Sequence, residues 1–102
     1  MITGWQQEFK AGWKCGGEEG TSVFRVLVEL DGPARDFMTD VDPTYDEIQA
    51  LADGKLHEHG MRSTAEGLAL HVKGIVERHL EGTPDTLRRV RVFQDEDWWT
   101  EL

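Results

Sequence analysis

The sequence predicts one α+β domain spanning residues 1–102: an antiparallel sheet with two helices packed on one face, in the order β-β-α-α-β with a short strand to finish. Three observations carry this expectation. The stretch "TSVFRVLVELDG" alternates apolar residues with period two, the mark of a half-buried strand. The stretch "STAEGLALHVKGIVERHLEG" repeats apolar residues at helical spacing. Helices that follow a hairpin in the chain cover one face of an antiparallel sheet, so the order of these segments implies two layers.

The elements follow in turn. "WQQEFKAGW", residues 5–13, is the first strand, and residues 22–30 form the second, with Phe24, Val26, Val28 and Leu30 pointing one way and Val23, Arg25, Leu27 and Glu29 the other. The glycine-rich segment "KCGGEEGTS" between them is read as the turn that folds the hairpin back, and "DGP" ends the second strand. In "DPTYDEIQALADGKL", Asp42 is the expected N-cap, Pro43 the first helical residue and Gly54 the stop, with Tyr45, Ile48, Leu51 and Ala52 on one side. "HEHGMR" is read as a loop. The second helix is capped by Ser63, with Glu66 as its capping-box partner, an apolar stripe of Ala65, Leu68, Val72, Ile75, Val76 and Leu80, and Gly82 beyond its end. Residues 87–93 form the next strand and 98–101 the last. Val23 and Leu27, joined by Phe93, leave the uncovered sheet face partly apolar, which suits a homo-oligomer assembled through sheet edges.

Composition narrows the function classes. The formal net charge of -9 is spread along the chain and repels phosphate backbones, so nucleic acid is not an expected partner, although Arg88, Arg89 and Arg91 form a local patch able to hold one anion. An apolar fraction of 38% is low for a self-sufficient core, and a second subunit is expected to help with burial. The single cysteine forms no intrachain disulfide, and no CxxC or Cys/His cluster announces a structural zinc site. No segment reaches the roughly 18 apolar residues of a membrane helix, and "MITGWQQEFK" has no basic stretch followed by an apolar run. The expectation is a cytoplasmic protein without a membrane partner.

Candidate chemistry rests on few side chains. Lys14 and the backbone N–H groups of "CGGEEG" favour a reactive thiol at Cys15 while Glu18 and Glu19 oppose it, so a nucleophile and an unreactive cysteine both stand. In an extended backbone His57 and His59 point together and Glu58 points away, which leaves too few convergent ligands for tetrahedral zinc. His79 lies within the apolar stripe and reads as a satisfied core histidine. Of Trp98 and Trp99, one is expected to pack on the core and the other to stack on a neighbour or a planar ligand.

In order along the chain, "FKAGW", "KCGGEEGTSVFRVLVELDG", "RDF", "LHEHGMRSTAEGLALHV" and "LRRVRVFQDEDWW" resemble the 6-pyruvoyltetrahydropterin synthase and 6-carboxytetrahydropterin synthase family. The resemblance implies the tunnelling fold, or T-fold, with sites between subunits. It implies that Cys15 corresponds to the family's general-base thiol, that Glu58 and His59 correspond to its Asp-His pair, and that Gln94 stands where a glutamate holds the pterin's amino-pyrimidine edge. The family's three zinc-binding histidines correspond to Trp13, Glu19 and Thr21, so no metal and no other cofactor is expected. Two readings follow: a divergent T-fold protein that binds a pterin- or purine-like heterocycle or serves as an assembly module, with Cys15, Glu58, His59, Glu66 and Gln94 at a subunit-interface pocket, or an active synthase acting on a dihydroneopterin triphosphate-type substrate.

Overall fold

Residues 1–34, 39–62 and 64–102 are described by the computed structural model. Among the described residues the chain forms β1 (Ile2–Cys15), β2 (Glu18–Asp31), α1 (Asp42–Gln49), α2 (Ala65–Leu80), β3 (Thr86–Gln94) and β4 (Trp98–Glu101), with a 3-10 turn at Leu56–His59 between the helices. The four strands make a single antiparallel sheet in chain order, β1-β2-β3-β4, and the helices lie on one face of it.

Alternation along β2 sets the two faces. Phe24, Val26, Val28 and Leu30 are buried under the helices, and their register partners carry the same side across the sheet: Phe24 pairs with Phe9 and Gln94, Val26 with Gln7 and Val92, Val28 with Trp5 and Val90. The helix face is closed by Leu68, Val72, Ile75, Val76 and Leu80 of α2 and by Ile48 of α1, all buried as the periodicity requires. Val23, Arg25, Leu27 and Phe93 lie on the opposite, uncovered face, as expected. A register shift between Glu29 and Leu30 marks a bulge near the end of the β2–β3 ladder.

The hairpin differs from its sequence reading. Each of its strands runs for 14 residues, and Cys15 is the last residue of β1, paired with Glu18, so the turn is shorter than the glycine-rich segment read from the sequence. The reason is the turn: Gly16 and Gly17 have φ of 59° and 85°, the left-handed pair of a two-residue type I′ hairpin, whose twist matches that of the strands and lets pairing continue to the tip.

The helical segment also needs correction. Asp42 is the first residue of α1, not its cap; Val41 occupies the N-cap position, and the Asp40 carboxylate accepts from the Asp42 N–H at 3.0 Å. The helix ends at Gln49, short of Gly54, because β1 claims the chain that follows: Asp53 N–H donates to the Lys10 carbonyl at 2.7 Å and Gly12 N–H to the Gly54 carbonyl at 2.7 Å. Gln7, buried among apolar neighbours, ties α1 down by donating to the Tyr45 carbonyl and to Gln49 Oε1, both at 3.1 Å. Ser63, the expected cap of α2, and "RDF" lie outside the described residues. Thr64 caps α2, accepting at its hydroxyl from the Gly67 N–H at 3.1 Å. Glu66 therefore falls one position too early to close a capping box, and it pairs instead with Arg62 at 3.6 Å.

Candidate functional site

Past the N-terminus of α2 the helix face of the sheet is uncovered, and a cleft of about 420 Å³ opens there. Its walls come from the hairpin tip (Trp13, Cys15, Glu18), the entry to α2 (Arg62, Thr64, Glu66) and the β3–β4 end (Gln94, Trp98, Thr100). Register explains the convergence. Cys15 and Trp13 share the face of Phe9, Gln94 shares that of Val92, and Trp98 and Thr100 sit opposite Gln94 and Val92 on β4. Three of the five residues selected from sequence, Cys15, Glu66 and Gln94, thus line one concavity.

Ser22 lies behind this wall and is almost fully buried. Its hydroxyl accepts from the Trp13 indole N–H at 2.9 Å, donates to Asp95 Oδ2 at 2.9 Å and receives a longer contact from Gln94 Nε2 at 3.4 Å. Asp95 is itself fixed: its Oδ1 accepts from the Val23 N–H at 3.2 Å, and its own N–H donates to the Val23 carbonyl at 2.8 Å. Neither Ser22 nor Asp95 was singled out from sequence. The available signal was the pairing of Phe24 with Gln94, which places Ser22 next to the β3–β4 turn, and that pairing required the β2–β3 register.

The remaining candidates stand elsewhere. Glu58 and His59 lie on the exposed 3-10 turn and do not line the cleft; the ring of His59 faces Gly54 instead. In that turn successive residues rotate by about 120°, so His57 and His59 diverge rather than point together. Lys14 is no partner for the thiol of Cys15, because neighbouring strand residues point to opposite faces, and its ammonium pairs with Glu19 at 3.7 Å. The cleft neighbour on Cys15's own face is Glu18.

The positions corresponding to the three zinc-binding histidines, Trp13, Glu19 and Thr21, border a second concavity of about 510 Å³ with Lys10, Asp53, Lys55 and His57. An indole ring supplies no metal-ligating lone pair, and the Trp13 ring is laid across Gly20, so close that a Cβ there would meet it at 2.6 Å. Among the described residues no group of three or more His, Cys, Asp and Glu side chains is arranged to hold a metal ion.

Other expectations are revised by the same geometry. The arginine patch is largely offset, since Arg88 and Arg89 pair with Glu29 and Arg89 and Arg91 with Glu101, two carboxylates against three guanidinium groups. His79 is half-buried rather than in the core, because Glu47 of α1 reaches it at 3.0 Å while also binding Arg78. Those hydrogen bonds, from His79 first and Arg78 second, hold the Glu47 carboxyl below its ordinary value. Neither Trp98 nor Trp99 packs on the core: both remain more than half exposed on the edge strand β4.

A cleft that offers a thiol, an amide, a carboxylate and an indole suits recognition of a planar polar molecule: aromatic surface for its face and hydrogen-bonding groups for its edge. No protein-family model and no curated protein matches the chain. Among the described residues no helix is long and apolar enough to cross a membrane.

Proposed function

We propose that this chain is a divergent tunnelling-fold protein, related to the 6-pyruvoyltetrahydropterin and 6-carboxytetrahydropterin synthases, that binds a pterin- or purine-like heterocycle in the cleft shared by Cys15, Glu66 and Gln94. The observation that carries the reading is this convergence of residues from three distant segments, with Trp98 beside them to stack on a planar ring. Coarse architecture agrees with it, since an antiparallel four-stranded sheet carries both helices on one face. Binding is favoured over the synthase reaction because Glu58 and His59, the proton-transfer pair the resemblance implies, do not line the cleft.

A homo-oligomer is part of the proposal. β4 is an edge strand and forms a wall of the cleft, so a second subunit adding to that edge would extend the site. The assembly-module reading has its own support in the uncovered face, where Val23 and Trp99 are exposed beside Leu27 and Phe93.

Calorimetry with pterin and guanine tests the binding reading. The expected result is micromolar affinity, roughly -8 kcal/mol, largely lost in Gln94→Ala. Absence of binding at millimolar ligand, with the protein sedimenting as an oligomer, would leave the assembly role in its place.

A further inference from the structure

We propose that Ser22 is a positioning residue that fixes the Gln94 side-chain amide, holding its nitrogen against the sheet and leaving its carbonyl oxygen as the end presented to the cleft; what this does for a ligand rests on the binding reading above. A serine hydroxyl has one hydrogen to give and two lone pairs to fill. The Asp95 carboxylate accepts only, so the Ser22 hydrogen is committed to it. The Trp13 indole donates only, so it fills one lone pair. What faces Gln94 is the second lone pair, and of the two ends of an amide only the NH2 satisfies it. Ser22 is almost wholly removed from solvent, so no bulk water replaces a lost partner, and an inverted amide would set two acceptors against each other.

The orientation therefore follows from the chemistry of the neighbours. It leaves the Gln94 carbonyl oxygen, an acceptor, as the end presented to the cleft. The ligand edge that fits carries an N–H or NH2 at that point, as in a 2-amino-4-oxo pyrimidine ring, and a dioxo ring with a carbonyl in place of the amino group does not.

Two measurements on the full chain test this. Proton–nitrogen spectra of labelled protein read the Gln94 side-chain amide without any ligand: the wild type is expected to show one amide proton shifted and protected from exchange, and Ser22→Ala to return both protons to ordinary glutamine behaviour. Asp95→Ala is the second variant. It frees the Ser22 hydrogen to donate to Gln94, so the amide pattern should change although the hydroxyl remains. Identical Gln94 resonances in wild type and both variants, each folded by its remaining spectrum, would overturn the proposal. For the ligand, pterin is expected to bind about tenfold more tightly than lumazine, its 2,4-dioxo counterpart, a difference of one hydrogen bond, and both variants should bring the ratio near unity. Equal loss of the two affinities, with the ratio unchanged, would reduce Ser22 to a structural role. If neither pteridine binds the wild type, the binding reading fails, while the amide spectra still decide the role of Ser22.

Discussion

Trp98 and Trp99 are adjacent in the chain and stand on opposite faces of the sheet, Trp98 paired with Gln94 at the cleft and Trp99 paired with Phe93 on the uncovered side, where the Arg91 guanidinium lies 4.7 Å from its ring centroid. The two indoles should therefore separate two properties. Trp98→Ala is expected to weaken heterocycle binding by about three- to tenfold, the worth of one aromatic stacking contact, and to leave the sedimentation profile unchanged. Trp99→Ala is expected to weaken self-association and to leave heterocycle affinity within about twofold. Titration calorimetry and sedimentation on both variants check this, and an exchanged pattern would refute the assignment of faces.

Cys15 is exposed at the cleft wall, and a neutral alkylating reagent should modify it in the folded protein. A heterocycle seated against Trp98 and Gln94 should slow that modification. Mass spectrometry with and without saturating pterin measures the protection, and equal rates would place the ligand away from Cys15.

Two glycines of α2 should respond oppositely to alanine. A Cβ at Gly67 would lie 2.0 Å from the Arg62 carbonyl oxygen, a backbone atom that cannot move aside cheaply. Gly67→Ala is expected to destabilise by about 1–3 kcal/mol through overpacking. A methyl group at Gly74 would meet nothing within 4 Å, and the residue stands in mid-helix, so alanine there should add about 0.5–1 kcal/mol of stability. Urea midpoints of the two variants test the pair.

Acid should weaken the fold in two steps. Burial, and next the nearby His59, hold His71 below the ordinary imidazole value of 6.5, with Glu47 opposing and Arg78 adding a smaller contribution. The unfolded chain then binds the proton more readily, so stability is complete above that value and declines as pH falls through it. Glu47, held low in the fold, contributes stability above the ordinary carboxylate value that is lost as pH falls further through its folded value. Because the Glu47 side chain is itself largely open to solvent, screening limits this contribution to about 1 kcal/mol or less. His71→Gln should flatten the upper step and Glu47→Gln the lower one in denaturation followed against pH.

The two layers were legible in the sequence because both depend on local periodicity. Phe24 to Leu30 and Leu68 to Leu80 announce their buried sides from spacing alone, and both faces are where spacing puts them. The site was legible only in part. Cys15 and Gln94 stand out through the family resemblance and Glu66 by its place at the entry to the second helix, yet whether they meet depends on the β2–β3 register, which is a long-range property. The 3-10 turn at Leu56–His59 was not legible: it turns inward to bury Leu56, and that choice carries Glu58 and His59 to the exposed side. Thr64 was missed as the cap because Ser63 beside it is an equally good capping residue, and only the backbone geometry of Thr64 distinguishes it.

Since every strand neighbours its chain successor, the β1–β2 and β3–β4 hairpins are able to close locally and early, whereas joining β2 to β3 must span both helices, from Asp31 to Thr86. Pairings of such wide sequence separation limit folding rates. Cys15 and Trp13 arrive on the first hairpin, Gln94 and Trp98 on the second, and their shared cleft comes into existence only when the central seam is sealed. A chain trapped before that step would hold two half-sites, each too small to recognise anything, so ligand capture would report completion of the slowest folding event.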